Sequence, residues 1–235
     1  MTLTIVPIVG IGEIHPGDEL AVVIAQAGTD AGTPVLDGDC VVVTQKVVSK
    51  AENRLVPLDP DDLDARRALV EAESVRIVRR RGDLIISETH HGFVCANAGV
   101  DLSNVEHGWA ALLPVDADRS AKHIRDAFRA RCAVDVAVIV SDTFGRPWRR
   151  GLTDVAIGVS GIAGVVDLRN TPDALGQTLQ VTEVAIADEI AAAAELVMGK
   201  AAGIPAAIVR GLDASWAREG TVRELIRPHG EDLFR

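Results

Sequence analysis

Aromatic side chains are scarce in this 235-residue sequence: four Phe, three Trp and no Tyr make up 3% of it. Base stacking on aromatic platforms is thereby disfavoured as the principal binding device, and the core must be filled by Val, Ile, Leu and Ala. Positive charge is short as well. Lys and Arg number 24 against 34 Asp and Glu, a formal charge of −10, whereas a nucleic-acid partner requires a basic footprint on its phosphates. Only three cysteines occur, Cys40, Cys95 and Cys132, widely spaced and each beside apolar residues. Neither a disulfide framework nor a CxxC zinc site can be built from them, so reduced, mostly buried thiols are expected. No apolar run reaches the roughly 18 to 20 residues that span a bilayer. The opening Met1-Thr2-Leu3-Thr4-Ile5 also lacks the basic region and small-residue cleavage site of a secretory signal. The expectation is a cytoplasmic protein with neither a nucleic-acid nor a membrane partner.

What is present is the composition of a soluble globular chain, 48% apolar and 25% charged. Its length fits one large domain or two small ones sharing a core. Short β-branched runs alternate with helical patterns, which predicts an α+β class. Strands are expected over 3–9, 40–43, 84–86, 93–95, 110–115, 136–140, 155–159 and 206–209. A helix over 18–27 follows the Pro16-Gly17 turn with Asp18 as its cap, and Asp37-Gly38-Asp39 turns the chain into the next strand. Further helices are expected over 61–79 and 120–131. A long one from Thr182 stripes Val184, Ala187, Ala191, Ala194 and Met198 on one face and ends at Gly199. No repeat and no flexible linker is visible. A single domain, 1–235, is therefore expected, divided if at all into two interleaved mixed α/β halves.

Three segments carry chemistry. In the first, the apolar run 136–140 leads into Ser141-Asp142-Thr143-Phe144-Gly145-Arg146, which puts a carboxylate and a hydroxyl at a strand's mouth, where ligand sites of α and β proteins gather. Such hard oxygens suit Mg²⁺ or Mn²⁺, and the guanidinium forks of Arg146, Arg149 and Arg150 match oxyanions. A turn cap and solvated arginines would use the same residue types. In the second segment, Asp101, Ser103 and Asn104 offer oxygen-bearing side chains after a run of small residues; an Asx turn would use them equally. In the third, Lys46 and Lys50 follow the 40–43 strand four residues apart. On a helical turn they share a face that can meet phosphate or simply water.

Other apparent motifs fail. Gly10-Ile11-Gly12 opens like a dinucleotide fingerprint, but position 15 is His15. Gly199-Lys200 is followed by Ala201, so there is no P-loop. His90 and His91 are adjacent and would point to opposite faces of a strand, as ordinary surface histidines. No serine sits in a GxSxG elbow. Arg79-Arg80-Arg81 reads as a second basic cluster, of the kind that is usually a solvated face.

Taken in order, Pro7-Ile8-Val9-Gly10, Asp37-Gly38-Asp39, Val47-Val48-Ser49-Lys50-Ala51-Glu52, Asn97-Ala98-Gly99-Val100-Asp101 with Ser103-Asn104-Val105, Asp142-Thr143 with Gly145-Arg146, and Val181-Thr182-Glu183 with Ala187-Asp188-Glu189-Ile190 resemble the coenzyme F420-0:L-glutamate ligase family. The resemblance implies a GTP-dependent amide ligase that adds L-glutamate to the side chain of the deazaflavin coenzyme F420-0, with GDP and phosphate released from an acyl-phosphate intermediate. It implies Mg²⁺ or Mn²⁺ as cofactor, with K⁺ as an optional further ion. GTP contacts are implied at Ile11, Gly12, Glu13, Ile14, Gln45, Lys50 and Asn104, and in the loop from Gly199 and Lys200 to Pro205. Metal ligands are implied at Asp101, Asp142 and Thr143, and catalytic roles at Lys50, Asp101, Asp142 and Arg146. An intertwined homodimer is implied too, and the flavin domain fused to many members is not expected, since the chain stops at Leu233-Phe234-Arg235. Gln45 stands where relatives carry serine, and Lys200-Ala201-Ala202 departs from a more glycine-rich or acidic stretch. The competing expectations are a non-catalytic nucleotide- or coenzyme-binding protein of the same fold, and a ligase for another carboxylate.

Overall fold

Val41 and Val43 point to one side of a strand and Cys40 and Val42 to the other, and all four are buried. A strand buried on both faces must lie inside a sheet covered on both sides. The computed structural model describes residues 2–233, so Met1, Phe234 and Arg235 of the terminal expectations lie outside the described residues. The first half runs β1 (Thr4–Pro7), α1 (Leu20–Asp30), β2 (Cys40–Thr44), α2 (Gln45–Ala51), β3 (Leu55–Pro57), α3 (Leu63–Ala72), β4 (Ser74–Arg81), β5 (Leu84–Thr89), β6 (Val94–Ala96) and β7 (Trp109–Ala111). The second runs α4 (Ala117–Ala127), β8 (Ala137–Gly145), β9 (Leu152–Ser160), β10 (Val166–Asp167), β11 (Glu183–Val184), α5 (Ile186–Met198) and β12 (Ala206–Arg210).

The main sheet has the order β1-β12-β2-β8-β9, with β2 and β8 parallel and the other neighbours antiparallel. Ile24, Ala121 and Phe128 of the α1 and α4 region pack on the face carrying Val41, Val43, Val138 and Val140. Ile190, Ala194 and Met198 of α5 cover the face carrying Val42, Ile139, Ala207 and Val209. A third, smaller core is built wholly from residues 58–112, including Leu58, Val70, Ile85, Val100 and Leu112. It sits among α3, the β3-β7 pair and the β4-β5-β6 sheet. The mixed α+β class is thus observed.

Several local expectations are corrected. The helix expected over 61–79 ends at Ala72, and Ser74–Arg81 pairs antiparallel with Leu84–Thr89. Val75, Ile77 and Val78 favour a strand once a partner strand is beside them, and this pairing overrides the helix propensity of the arginines. Arg79, Arg80 and Arg81 are exposed there, Arg80 paired with Glu71. Asp18 does not cap α1; Glu19 holds that position without a side-chain bond, and Asp18 Oδ2 instead accepts from the His15 amide at 2.7 Å. The helix expected from residue 120 starts at Ala117, capped by Asp116 through the Arg119 amide, and closes in a π-helical turn over Phe128–Cys132. Val184 belongs to β11 rather than to the α5 stripe. His90 and His91 sit in the turn between β5 and β6, His91 stacked on Phe93 with ring centroids 5.7 Å apart.

The most consequential correction concerns β8. It does not end before Asp142 but runs to Gly145, paired with β9 in a long ribbon. Its parallel partner β2 stops at Thr44, opposite Ser141. Beyond that point β8 overhangs the end of β2, and Asp142 and Thr143 face the space where the chain leaves the sheet to begin α2.

Candidate functional site

That space is a cavity of about 810 Å³. The loop after β1 supplies Ile11, Gly12, Glu13 and Ile14; α2 supplies Gln45, Lys46 and Lys50; the segment after residue 100 supplies Asp101 and Asn104. The overhanging ribbon adds Ser141, Asp142, Thr143 and Asp154, and the end of α5 with its following loop adds Glu195, Gly199, Lys200 and Pro205. Five segments distant in sequence meet in one place. Arg146 is not among the lining residues: it is exposed, and its guanidinium donates to the Arg150 carbonyl at 2.7 Å.

The two lysines of α2 do share a face, and each is already engaged. Lys46 Nζ lies 2.7 Å from Asp101 Oδ2 and donates to the Ser103 hydroxyl at 2.7 Å. Lys50, buried, pairs with Glu13. Lys200 donates to Thr143 Oγ1. Gln45 is buried and anchored, its amide nitrogen on Ser49 Oγ at 2.6 Å and the Leu112 carbonyl at 2.9 Å. That anchoring fixes the start of α2 against β7 and so aims both lysines. Gly199 ends α5 at φ +61°, a backbone that side chains rarely adopt, which turns the 199–205 loop back across the cavity.

The carboxylates differ in their surroundings. Burial acts to raise the pKa of Asp101, but hydrogen bonds from Lys46 and the Ser103 amide outweigh it and hold it below the ordinary value. Asp142 is pushed up to about 7, chiefly by burial and further by the charges of Asp101 and Asp154, against the Thr143 amide and Lys200. Burial, with Asp154 adding to it and Lys200 opposing it, also raises Glu195. Cys95, close enough to feel Asp142, has its thiol pushed up to about 12, chiefly by burial, and is inert as a nucleophile. All three cysteines are free, Cys40 and Cys95 buried and Cys132 half-buried.

Asp154, Ser141 and Glu195 escape the motif reading. Asp154 is buried, and its oxygens accept from Ser141 Oγ at 2.9 Å and from Thr143 Oγ1. The available signal is one acid beside the apolar run 155–159, and one Glu near the end of an Ala-rich helix.

Two carboxylates and a hydroxyl on one wall are hard oxygen donors. Among the described residues no three His, Cys, Asp or Glu converge as a closed metal cage. Mg²⁺ seldom uses one: it is held by one or two carboxylates and completes its octahedron with water and substrate phosphates. Lys46 on Asp101 and Lys200 on Thr143 already place cationic groups on these oxygens, and Asp142, raised chiefly by burial and further by its acidic neighbours, adds a second carboxylate beside them. The donor set therefore fits a divalent ion bound together with a polyanion.

The fold and cavity define a class: an α+β protein with an acid-and-lysine cavity, built without a P-loop. Residues 9–211 match the family described as F420-0:gamma-glutamyl ligase. The chain is 43% identical to the coenzyme F420:L-glutamate ligase of Methanothermobacter thermautotrophicus across 100% of both chains. It is 42% identical to that of Methanopyrus kandleri over 100% of this chain and 98% of the other, and 41% identical to that of Methanocaldococcus jannaschii over 86% of each. The chain belongs to the F420-0:gamma-glutamyl ligase family. No helix among the described residues is long and apolar enough to cross a membrane.

Proposed function

We propose that the protein is an amide ligase that joins L-glutamate to coenzyme F420-0 at the expense of GTP, acting in this cavity as a homodimer. One observation carries the reading: Lys50, Asp101, Asp142 and Thr143, which stand in three of the segments that resemble the family, line a single cavity together with Lys46.

In this reading a carboxylate oxygen of the coenzyme attacks the γ-phosphorus of GTP, GDP leaves, and an acyl phosphate forms. The glutamate amine then attacks the acyl carbon, phosphate departs, and the nitrogen gives up a proton. A divalent ion bound at Asp101, Asp142 and Thr143 would supply charge neutralisation on the transferring phosphoryl group. Lys50, released from Glu13, neutralises non-bridging phosphate oxygens, and Lys46 does the same from one turn earlier. The 199–205 loop narrows the cavity and keeps water from the acyl phosphate. Arg146 enters only if the ribbon end folds toward the cavity on binding.

Mass spectrometry of the deazaflavin coenzyme after incubation with GTP, Mn²⁺ and L-glutamate should show the gain of one glutamyl unit, with GDP and phosphate released only when both acceptor and glutamate are present. GTP hydrolysis indifferent to both substrates, with no mass gain, would refute the ligase reading. Asp142→Asn should lose at least about a hundredfold in turnover, as when a principal electrostatic stabiliser is removed. Near-normal turnover would take Asp142 out of the site.

A further inference from the structure

We propose that Asp154 is a positioning residue of this site: by accepting the Thr143 hydroxyl proton from the neighbouring strand, it turns the lone pairs of Thr143 Oγ1 into the cavity. The inference rests on the metal-and-nucleotide reading above and deepens it.

Asp154 is 2% exposed and lines the cavity from β9. A carboxylate taken out of water is costly unless it is paired and fully hydrogen-bonded, yet among the described residues no lysine or arginine forms an ion pair with it. What it has instead is two hydroxyls. Ser141 Oγ donates to Oδ2 at 2.9 Å and Thr143 Oγ1 donates to Oδ1.

A hydroxyl has one proton and two lone pairs. With its proton committed to Asp154, Thr143 can only accept from the cavity side, and it does so from Lys200. Oriented in this way, the oxygen suits a cation and presents no competing donor to it. The register is set by a bulge. Val140 pairs with Gly158 but Ser141 with Ala156, leaving Ile157 as the extra residue on β9. Without that extra residue Val155, not Asp154, would stand opposite Thr143. An irregularity in the ladder thus brings the carboxylate to the hydroxyl.

The test measures Mn²⁺ affinity in the presence of GDP for the full chain, by calorimetry and by the spin-resonance signal of free Mn²⁺, in wild type, Asp154→Asn, Thr143→Val and the double variant. Asparagine cannot accept both hydroxyl protons without turning its amide donors on one of them. Asp154→Asn should therefore weaken Mn²⁺ by about tenfold or more, the usual scale for losing a group that orients a ligand. In the Thr143→Val background the same change should cost almost nothing, because the two residues act through one bond. Thr143→Ser, which keeps the hydroxyl and its bond to Asp154, should stay within about twofold of wild type although the β-branched restraint is gone. It decides the matter even if Asp154→Asn fails to fold: a large loss there overturns the inference. Unchanged Mn²⁺ affinity in folded Asp154→Asn also overturns it, as does an equal loss with and without the Thr143 hydroxyl, which would make Asp154 a direct ligand. Absence of Mn²⁺ binding by the wild type with GDP would remove the functional reading itself, an outcome distinct from either.

Discussion

Lys46 and Lys50 are equivalent by spacing and different by environment. Both lie on one face of α2, but Lys46 is held by Asp101 and Ser103 and Lys50 by Glu13. Lys50→Ala should weaken GTP binding by roughly 1.5 to 3 kcal/mol, the range for a lost hydrogen bond to a charged group, while guanosine binds almost unchanged. Lys46→Ala is not neutral either. It removes the partner that holds Asp101 low, so it should weaken GTP comparably. Calorimetry against GTP and guanosine checks both, and equal GTP affinity in wild type and Lys50→Ala would return that residue to a structural ion pair with Glu13. The motif reading identified both lysines as phosphate candidates. It could not rank them, because the ranking depends on which anion the fold brings to each.

Between elements, close approach and capping decide more than propensity. At Gly158 on β9 an added Cβ would stand 2.2 Å from the Ala117 carbonyl oxygen at the start of α4. Backbone cannot rotate away as a side chain can, so Gly158→Ala should cost about 1 to 3 kcal/mol or more in urea unfolding. Glu224 ties the segment after residue 216 to the start of β10. It accepts from Arg218 at 2.8 Å and from the Val165 and Thr221 amides at 3.2 Å. The Arg218 hydrogen bond, more than the amides, holds its carboxyl below the ordinary value against the effect of burial. A depressed carboxylate contributes stability that is present above its unfolded pKa and lost as pH falls through its folded one. Glu224→Gln should therefore lower the thermal midpoint at pH 7, and the gap from wild type should close as the pH falls below about 4. A gap that persists in acid would show that shape rather than charge is at stake.

Across the whole molecule, the sheet is tied by an ion pair between β12 and the turn before β2. Asp39, 1% exposed, accepts from Arg210 through both oxygens at 2.7 Å and from the Leu36 amide at 2.8 Å. Arg210→Met leaves that carboxylate buried without its partner and should cost about 3 to 5 kcal/mol, read as a lower urea midpoint. A loss within the error of the measurement would mean that water reaches Asp39. The mixed α+β class, the strands at 40–43 and 206–209, the free thiols and the cavity residues Lys46, Lys50, Asp101, Asn104, Asp142 and Thr143 were legible in the chain, because apolar periodicity and residue chemistry are local properties, whereas Ile11 to Ile14, Gln45 and the 199–205 loop came only through the family resemblance. The strand at Ser74–Arg81, the extension of β8 past Asp142, the exclusion of Arg146 from the cavity lining and the place of Asp154 were not. Each depends on a partner far along the chain: Leu84–Thr89 for the first, the β9 ladder and its bulge at Ile157 for the others. Local sequence specified which groups could do the chemistry, and tertiary structure decided which of them meet, since register and overhang exist only between strands.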